Sequence, residues 1–323
     1  MSLEEFTKTL NEWGSQRIPF LFLVDFEMEK PLAYQLDDLS PENLLFDLNG
    51  FSNAPPSPVE KKPFDFIKFP LAFKDYKKKY NKVCSRLAYG DSYLANLTIK
   101  TKVKTEMLLK DIFFLSHAKY KILFENNFLV FSPETFIQIR DGKIFAYPMK
   151  GTIDASVPGA REKILMDRKE MAEHVTIVDL IRNDLSEVSE NVQVTRFRYI
   201  EEIKTTHKNL LQISSEITGD LPPHYEQHLG DIIVKLLPAG SVSGAPKCKT
   251  LEIIRQAEIE PRGYYTGIVG LYDGRFFDSG VMIRFIENNN GTLYYRSGGG
   301  ITAQSVLETE YQEAIDKVYV PVD

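Results

Sequence analysis

The hairpin signals in this chain constrain its fold more than any other feature. In FIQIRDGKIFAYP, residues 136–148, Asp141-Gly142 stands between near-alternating apolar residues, the pattern of two antiparallel strands joined by a two-residue turn. GIVGLYDGRFF (267–277) repeats that logic at Asp273-Gly274, and IRFIENNNGTLYYRS (283–297) predicts a third hairpin. Helical patterns fall between these segments, at 74–88, 161–184, 223–235, 245–257 and 305–318. They mix with the hairpins rather than alternating with single strands, so the expected class is α+β with largely antiparallel sheets.

At the N-terminus, Ser2 and Glu5 form a capping-box pattern, with Leu3, Phe6, Leu10 and Trp13 as the apolar stripe and Gly14 closing the helix. Apolar strands are expected around 18–25 and 44–51. The segment SNAPPSPVEKKP (52–63) reads as a linker. A boundary near residue 70 follows: a short N-terminal region, 1–70, packing on a main domain, 71–323.

The net charge of −6 argues against a nucleic-acid partner, and Lys77-Lys78-Lys79 reads as a solvated helix face. Cys84 and Cys248 are far apart, giving neither a disulfide framework nor zinc-ligand spacing. The apolar run Phe20 to Val24 is cut by Asp25, too short for a membrane span or a signal-peptide core. A cytoplasmic protein with no membrane partner is expected.

Two carboxylate pairs carry chemistry. KEMAEH places Glu170 and Glu173 three residues apart on one helix face, and ETEYQEAIDK places Glu310 and Glu313 in the same relation on another. Such pairs either decorate solvated faces or surround a cation, and their apolar neighbours (Met171, Ala172, Val175; Tyr311, Ala314, Ile315) weaken the first reading without removing it. Facing each other, four carboxylates would repel without a hard divalent ion, and Mg²⁺ suits oxygen ligands. PAGSVSGAPKCKTLEII (238–254) reads as a glycine-rich loop feeding a helix that starts near Ala245-Pro246, a place for an anion. Its spacing is not that of a Walker A loop, so a carboxylate fits better than a nucleotide. SGGGI, with Gly298, Gly299 and Gly300, reads as a second loop, permitting close backbone approach to a ligand just before the helix of Glu310 and Glu313.

Nine stretches together resemble the chorismate-utilising enzymes. They are GDSYLANLT (90–98), FSPETF (131–136), YPMKGT (147–152), KEMAEHVTIVDLIRNDL (169–185), THKNLLQISSEITGDL (206–221), PAGSVSGAPK (238–247), PRGYYTGIVG (261–270), GVMIRF (280–285) and GGGITAQSVLETEYQEAIDK (298–317), in the family's order. The resemblance implies a two-sheet antiparallel sandwich flanked by helices, as in anthranilate synthase component I, and makes 71–323 the chorismate-binding catalytic domain. It implies Glu173 and Glu313 as direct Mg²⁺ ligands, with Glu170 and Glu310 acting through water. Arg284, Tyr265 and the N–H groups of Gly298 to Gly300 would receive the enolpyruvyl carboxylate of chorismate, and His207 and Ser241 would line the same pocket.

The resemblance also implies a reaction. Glu134 in FSPETF matches the family's general acid, which a raised pKa would let donate a proton to the departing ring hydroxyl. Lys150 in YPMKGT occupies the position that holds lysine in the aminodeoxychorismate branch and typically alanine in the anthranilate branch. Such a lysine can attack the ring, and ammonia then displaces it. The expected activity is aminodeoxychorismate synthase component I, converting chorismate and ammonia to 4-amino-4-deoxychorismate for p-aminobenzoate and folate synthesis. Neither cysteine has the setting of a glutaminase nucleophile, so ammonia is expected from a separate glutamine amidotransferase subunit, or free. The rivals are anthranilate synthase component I, an isochorismate- or salicylate-type synthase, and an inactive subunit that only binds chorismate or a partner.

Overall fold

Phe20–Val24 is buried at every residue, although a strand at a domain surface would alternate. Phe20, Phe22 and Val24 pack with Phe6, Leu10 and Ile233 in one hydrophobic cluster, whereas Leu21 and Leu23 pack with Phe46, Ile122 and Val130 in another. The strand therefore has helices on one face and a second sheet on the other. Each such side chain contributes about 1.5–3 kcal/mol on full burial. The computed structural model describes residues 1–57, 59, 64–203 and 209–322.

Two nine-stranded antiparallel sheets form among these residues. The first runs Met149–Asp154, Leu210–Asp220, Lys143–Ala146, Thr135–Arg140, Phe277–Val281, Ile268–Tyr272, Phe20–Val24, Leu32–Gln35, with Glu190–Ile203 on the other edge of Leu210–Asp220. The second runs Gly244–Ala245, Leu94–Lys104, Thr292–Thr302, Phe285–Asn289, Phe128–Ser132, Tyr120–Phe124, Leu44–Leu48, Phe51–Ser52, with Ile67–Phe69 also on Leu94–Lys104. Leu3–Ser15, Arg168–Ser186 and Leu229–Leu236 cover the outer face of the first sheet, while Phe73–Tyr89, Leu109–Leu115, Lys247–Glu258 and Leu307–Asp316 cover that of the second. The result is the α+β sandwich expected. Segments before residue 57 supply strands to both sheets.

Local chemistry explains the turns. Asp141 and Gly142 both take positive φ (52° and 72°) between Arg140 and Lys143, as a two-residue I′ turn requires. Asn290 and Gly291 do the same between Asn289 and Thr292. The Asp273-Gly274 hairpin differs from its expected two-residue form. Its loop spans 273–276, because the Asp273 carboxylate accepts the N–H groups of Arg275 and Phe276 and stabilises a wider turn. The helix expected over 161–184 is two, Ala160–Met166 and Arg168–Ser186, since Asp167 leaves the helix to accept the Glu170 N–H as an N-cap. At the N-terminus the capping box is formed, Ser2 N–H to Glu5 and Glu5 N–H to Ser2.

The chain passes from the second sheet to the first at 133–134, and back again at 282–284. These crossings lie together: Val281 N–H donates to Glu134 O and Phe131 N–H to Arg284 O. Side chains at such crossings escape the alternation of either sheet, and the candidate site is built around them.

Candidate active site

Glu134 sits in the first crossing. Ser241 Oγ donates to its Oε1 at 2.5 Å. Burial raises the Glu134 pKa above the ordinary carboxylate range, against the Ser241 hydrogen bond and the charges of Arg284, Lys317 and Lys150. The residue as a whole is half-buried. Ser241 is placed by a one-turn helix, Gly240–Ser243. The helix expected to start near Ala245-Pro246 begins at Lys247, with Pro246 as its N-cap, because Gly244–Ala245 is drawn into pairing with Leu94 and Ala95.

Lys150 lies on the edge strand Met149–Asp154, where the register against Leu210–Asp220 shifts between Met149 and Thr152. A bulge of this kind re-aims side chains. Gly151 holds it at φ 80°, and a Cβ there would stand 3.0 Å from Glu170 Oε2, so the glycine of YPMKGT serves both the bulge and the carboxylate behind it. Lys150 Nζ is 2.7 Å from Glu173 Oε2. Burial disfavours the ammonium, but Glu173, with Glu170 and Glu313 behind it, outweighs burial and holds the Lys150 pKa above its ordinary value.

Glu170 and Glu173 are positioned by Arg168–Ser186, whose rotation is fixed underneath by His174. That imidazole is fully buried, with Nε2 2.6 Å from Ser215 Oγ on the neighbouring strand, and burial, helped by Arg198, pushes its pKa down to about 4. Glu310 and Glu313 come from Leu307–Asp316 on the opposite side. Lys317, which sequence reasoning missed, ties this last helix to the glycine strand: its Nζ is 2.6 Å from Glu313 Oε1 and donates to Gly298 O at 2.9 Å. Its signal was its place four residues after Glu313, one helical turn on.

Gly298, Gly299 and Gly300 lie within the strand Thr292–Thr302, not in a loop, and none has positive φ. They pair with Thr98, Leu97 and Asn96. Their small size serves packing. A Cβ on Gly298 would stand 2.4 Å from Leu97 O, and one on Gly299 would meet Glu313 Oε1, Lys317 Nζ and Glu310 Oε2 at 3.4–3.7 Å. Phe285–Asn289 pairs this strand only as far as Arg296, so its edge is open beyond. Because Gly298 O turns to Lys317, alternation puts the Gly298 and Gly300 N–H groups on that same edge.

Arg284, in the second crossing, stacks over the Tyr319 ring at 5.1 Å. Tyr265 is buried, edge-on to Phe285 at 5.9 Å; burial pushes its pKa up to about 12, with Arg262 and Arg284 opposing. His207 lies outside the described residues. The structure thus brings Glu134, Lys150, Glu173, Glu313, Ser241, Arg284 and the glycine strand to one end of the sandwich.

The donor set suits Mg²⁺, being all oxygen, and both carboxylates expected to bind it directly already hold a cation: the ammonium of Lys150 on Glu173 and that of Lys317 on Glu313. Among the described residues no three acidic, histidine or cysteine side chains converge as a finished ligand cluster. Mg²⁺ asks for one or two carboxylates, completed by waters and substrate oxygens.

No described helix is long and apolar enough to cross a membrane. The chain is 47% identical over 322 residues to a Haemophilus influenzae protein described as an uncharacterized PabA-like protein, covering 100% of this chain and 98% of the relative. It is 33% identical over 264 residues to aminodeoxychorismate synthase component 1 of Klebsiella aerogenes, covering 77% of this chain and 57% of that one. Among solved structures, the menaquinone-specific isochorismate synthase MenF of Escherichia coli superposes with a TM-score of 0.75 at 16% identity, over 98% of this chain and 81% of that one, a likeness of fold. The family model described as chorismate binding enzyme matches residues 24–323, and the chain belongs to that family.

Proposed function

We propose that this protein aminates chorismate to 4-amino-4-deoxychorismate as aminodeoxychorismate synthase component I. The observation that carries the reading is Lys150, turned by the strand bulge into the pocket that Glu134 shares. The kinship with aminodeoxychorismate synthase component 1 of Klebsiella aerogenes supports it.

In this reading Arg284, Tyr265 and the N–H groups along Gly298 to Gly300 bind the enolpyruvyl carboxylate. Glu173 and Glu313 would hold Mg²⁺ directly, and Glu170 and Glu310 through water. Bound there, the ion would supply positive charge for the ring carboxylate. Lys150 forms a bond to the doubly bonded ring carbon C2 beside the carboxylate-bearing carbon and gives up a proton, both conjugated ring double bonds shift by one position, and the C4–O bond breaks. Glu134 gives its proton to the departing hydroxyl, which leaves as water. Ammonia then adds at C4 and loses a proton, both double bonds shift back, and Lys150 takes up a proton as its amine is released.

Paired with Glu173, Lys150 is an ammonium and no nucleophile. Its burial favours the free amine once the surrounding carboxylates are otherwise neutralised. Ammonia would come from a separate glutamine amidotransferase subunit, and the product would feed p-aminobenzoate and folate synthesis.

The test is incubation of the protein with chorismate, ammonium and Mg²⁺, with products separated by chromatography. 4-Amino-4-deoxychorismate as the main product supports the reading; anthranilate or isochorismate overturns it.

A further inference from the structure

Arg262 is 2% exposed and all five of its guanidinium donors are used, yet sequence reasoning gave it no role. Nε and Nη2 grip the Glu258 carboxylate at 2.8 and 2.7 Å. Nη1 donates to Val242 O at 2.8 Å and to Thr266 Oγ1 at 3.3 Å, and Nη2 also donates to Asn96 O at 2.8 Å. Phe26 covers the guanidinium face at 4.4 Å. The Glu258 carboxylate also accepts the Thr98 N–H at 2.8 Å.

These partners adjoin three parts of the candidate site. Val242 follows Ser241 in the one-turn helix whose last carbonyls have no partner within it. Asn96 and Thr98 are the register partners of Gly300 and Gly298. Thr266 follows Tyr265. A buried ion pair is a poor source of stability, because desolvation offsets attraction and packed apolar side chains do as well. What an arginine offers that they cannot is a rigid fork holding several carbonyls at fixed spacing.

We propose that Arg262 is a positioning residue for proton donation: by holding Val242 O against the glycine-strand partner Asn96, it fixes Ser241 on Glu134. The proposal rests on reading Glu134 as the general acid. Among the described residues, four groups face Glu134: Ser241 from the one-turn helix, Arg284 from the second crossing, Lys317 beyond the last helix, and Lys150 from the edge strand. Only the first depends on Arg262 through a direct neighbour.

The experiment measures kcat and kcat/KM for chorismate, with ammonium and Mg²⁺, across pH. It compares the wild type, Ser241→Ala, Arg262→Lys, the double variant and Glu134→Gln, with thermal melting of each. Lysine keeps the charge but loses the fork. Losing the Ser241 bond destabilises the Glu134 carboxylate, so the acid stays protonated to higher pH. Arg262→Lys should lower kcat roughly tenfold. It should also move the alkaline limb of kcat/KM upward, in the direction of Ser241→Ala, and the double variant should move it no further. If Arg262→Lys does not fold, Glu258→Gln, which loosens the same fork, should move the limb the same way. Loss of activity with an unmoved limb would leave Arg262 a purely structural residue and overturn the proposal alone. An active Glu134→Gln enzyme would overturn the acid assignment itself, and the proposal with it.

Discussion

Lys150 Nζ stands 2.7 Å from Glu173 Oε2, so the expected nucleophile and an expected metal ligand neutralise each other. Lys317 and Glu313 repeat the arrangement across the pocket at 2.6 Å. Each of these two carboxylates thereby carries an ammonium counter-charge, and the proposed divalent ion would have to displace both ammonium contacts to bind them.

Chelating divalent ions should abolish chorismate turnover, and Mg²⁺ should restore it. Glu173→Gln should weaken Mg²⁺ binding by more than about tenfold in the presence of chorismate. Titration calorimetry measures this, and unchanged affinity would remove Glu173 from the ligand set.

Lys150→Ala should reduce formation of 4-amino-4-deoxychorismate by roughly a thousandfold while the fold persists, because the other amine facing Glu134, Lys317, is held by Glu313 and Gly298 O. With chorismate and no ammonia, intact-protein mass spectrometry of the wild type should show an adduct of one chorismate less one water. Full activity in the variant would refute the covalent route.

Glu134→Gln should lower kcat by about a hundredfold or more. It should also change stability with pH. Burial raises the folded pKa of Glu134, so the folded state holds that proton more tightly than the unfolded chain. The resulting stability is present below the unfolded pKa and lost as pH rises through the folded one. Thermal melting should therefore show the glutamine variant gaining on the wild type at alkaline pH and not at acidic pH.

His174 titrates in the opposite sense. Its pKa, pushed down to about 4, lies below the ordinary 6.5, so its contribution is present above 6.5 and lost as pH falls toward 4. The loss amounts to about 3 kcal/mol. His174→Gln should flatten the melting temperature over that window; an unchanged acid slope would show that the imidazole is not held neutral.

The glycine strand should divide by face. Gly298→Ala puts a methyl 2.4 Å from the Leu97 carbonyl, against backbone, and should destabilise by about 1–3 kcal/mol. Gly299→Ala meets only side-chain atoms of Glu313, Lys317 and Glu310 at 3.4 Å or more, so it should fold normally. Its effect should appear as a raised KM for chorismate, measured by steady-state kinetics.

Much of this was legible from residue order. The turns at Asp141-Gly142 and Asn290-Gly291 are local chemistry, decided by which residues tolerate positive φ. The N-terminal capping box and the i, i+3 spacing of Glu170 with Glu173, and of Glu310 with Glu313, depend only on neighbours along a helix. The sequence alone therefore determined the α+β class, the hairpins, and which carboxylates share a face.

Other features needed the folded molecule. Gly298 to Gly300 looked like a loop because glycine weakens an isolated strand, but pairing with Leu94–Lys104 supplies the ladder that overrides that propensity. Asp167 broke a long helical pattern because a cap competes with helix continuation. The partnerships of Ser241 with Glu134, Lys150 with Glu173, and Arg262 with Val242 and Asn96 join residues from 20 to 166 positions apart. No periodicity records such separations. They arise only where two crossings bring both sheets to one end of the sandwich, and there tertiary packing sets the distances and burial on which the acid, the lysine and their supports depend.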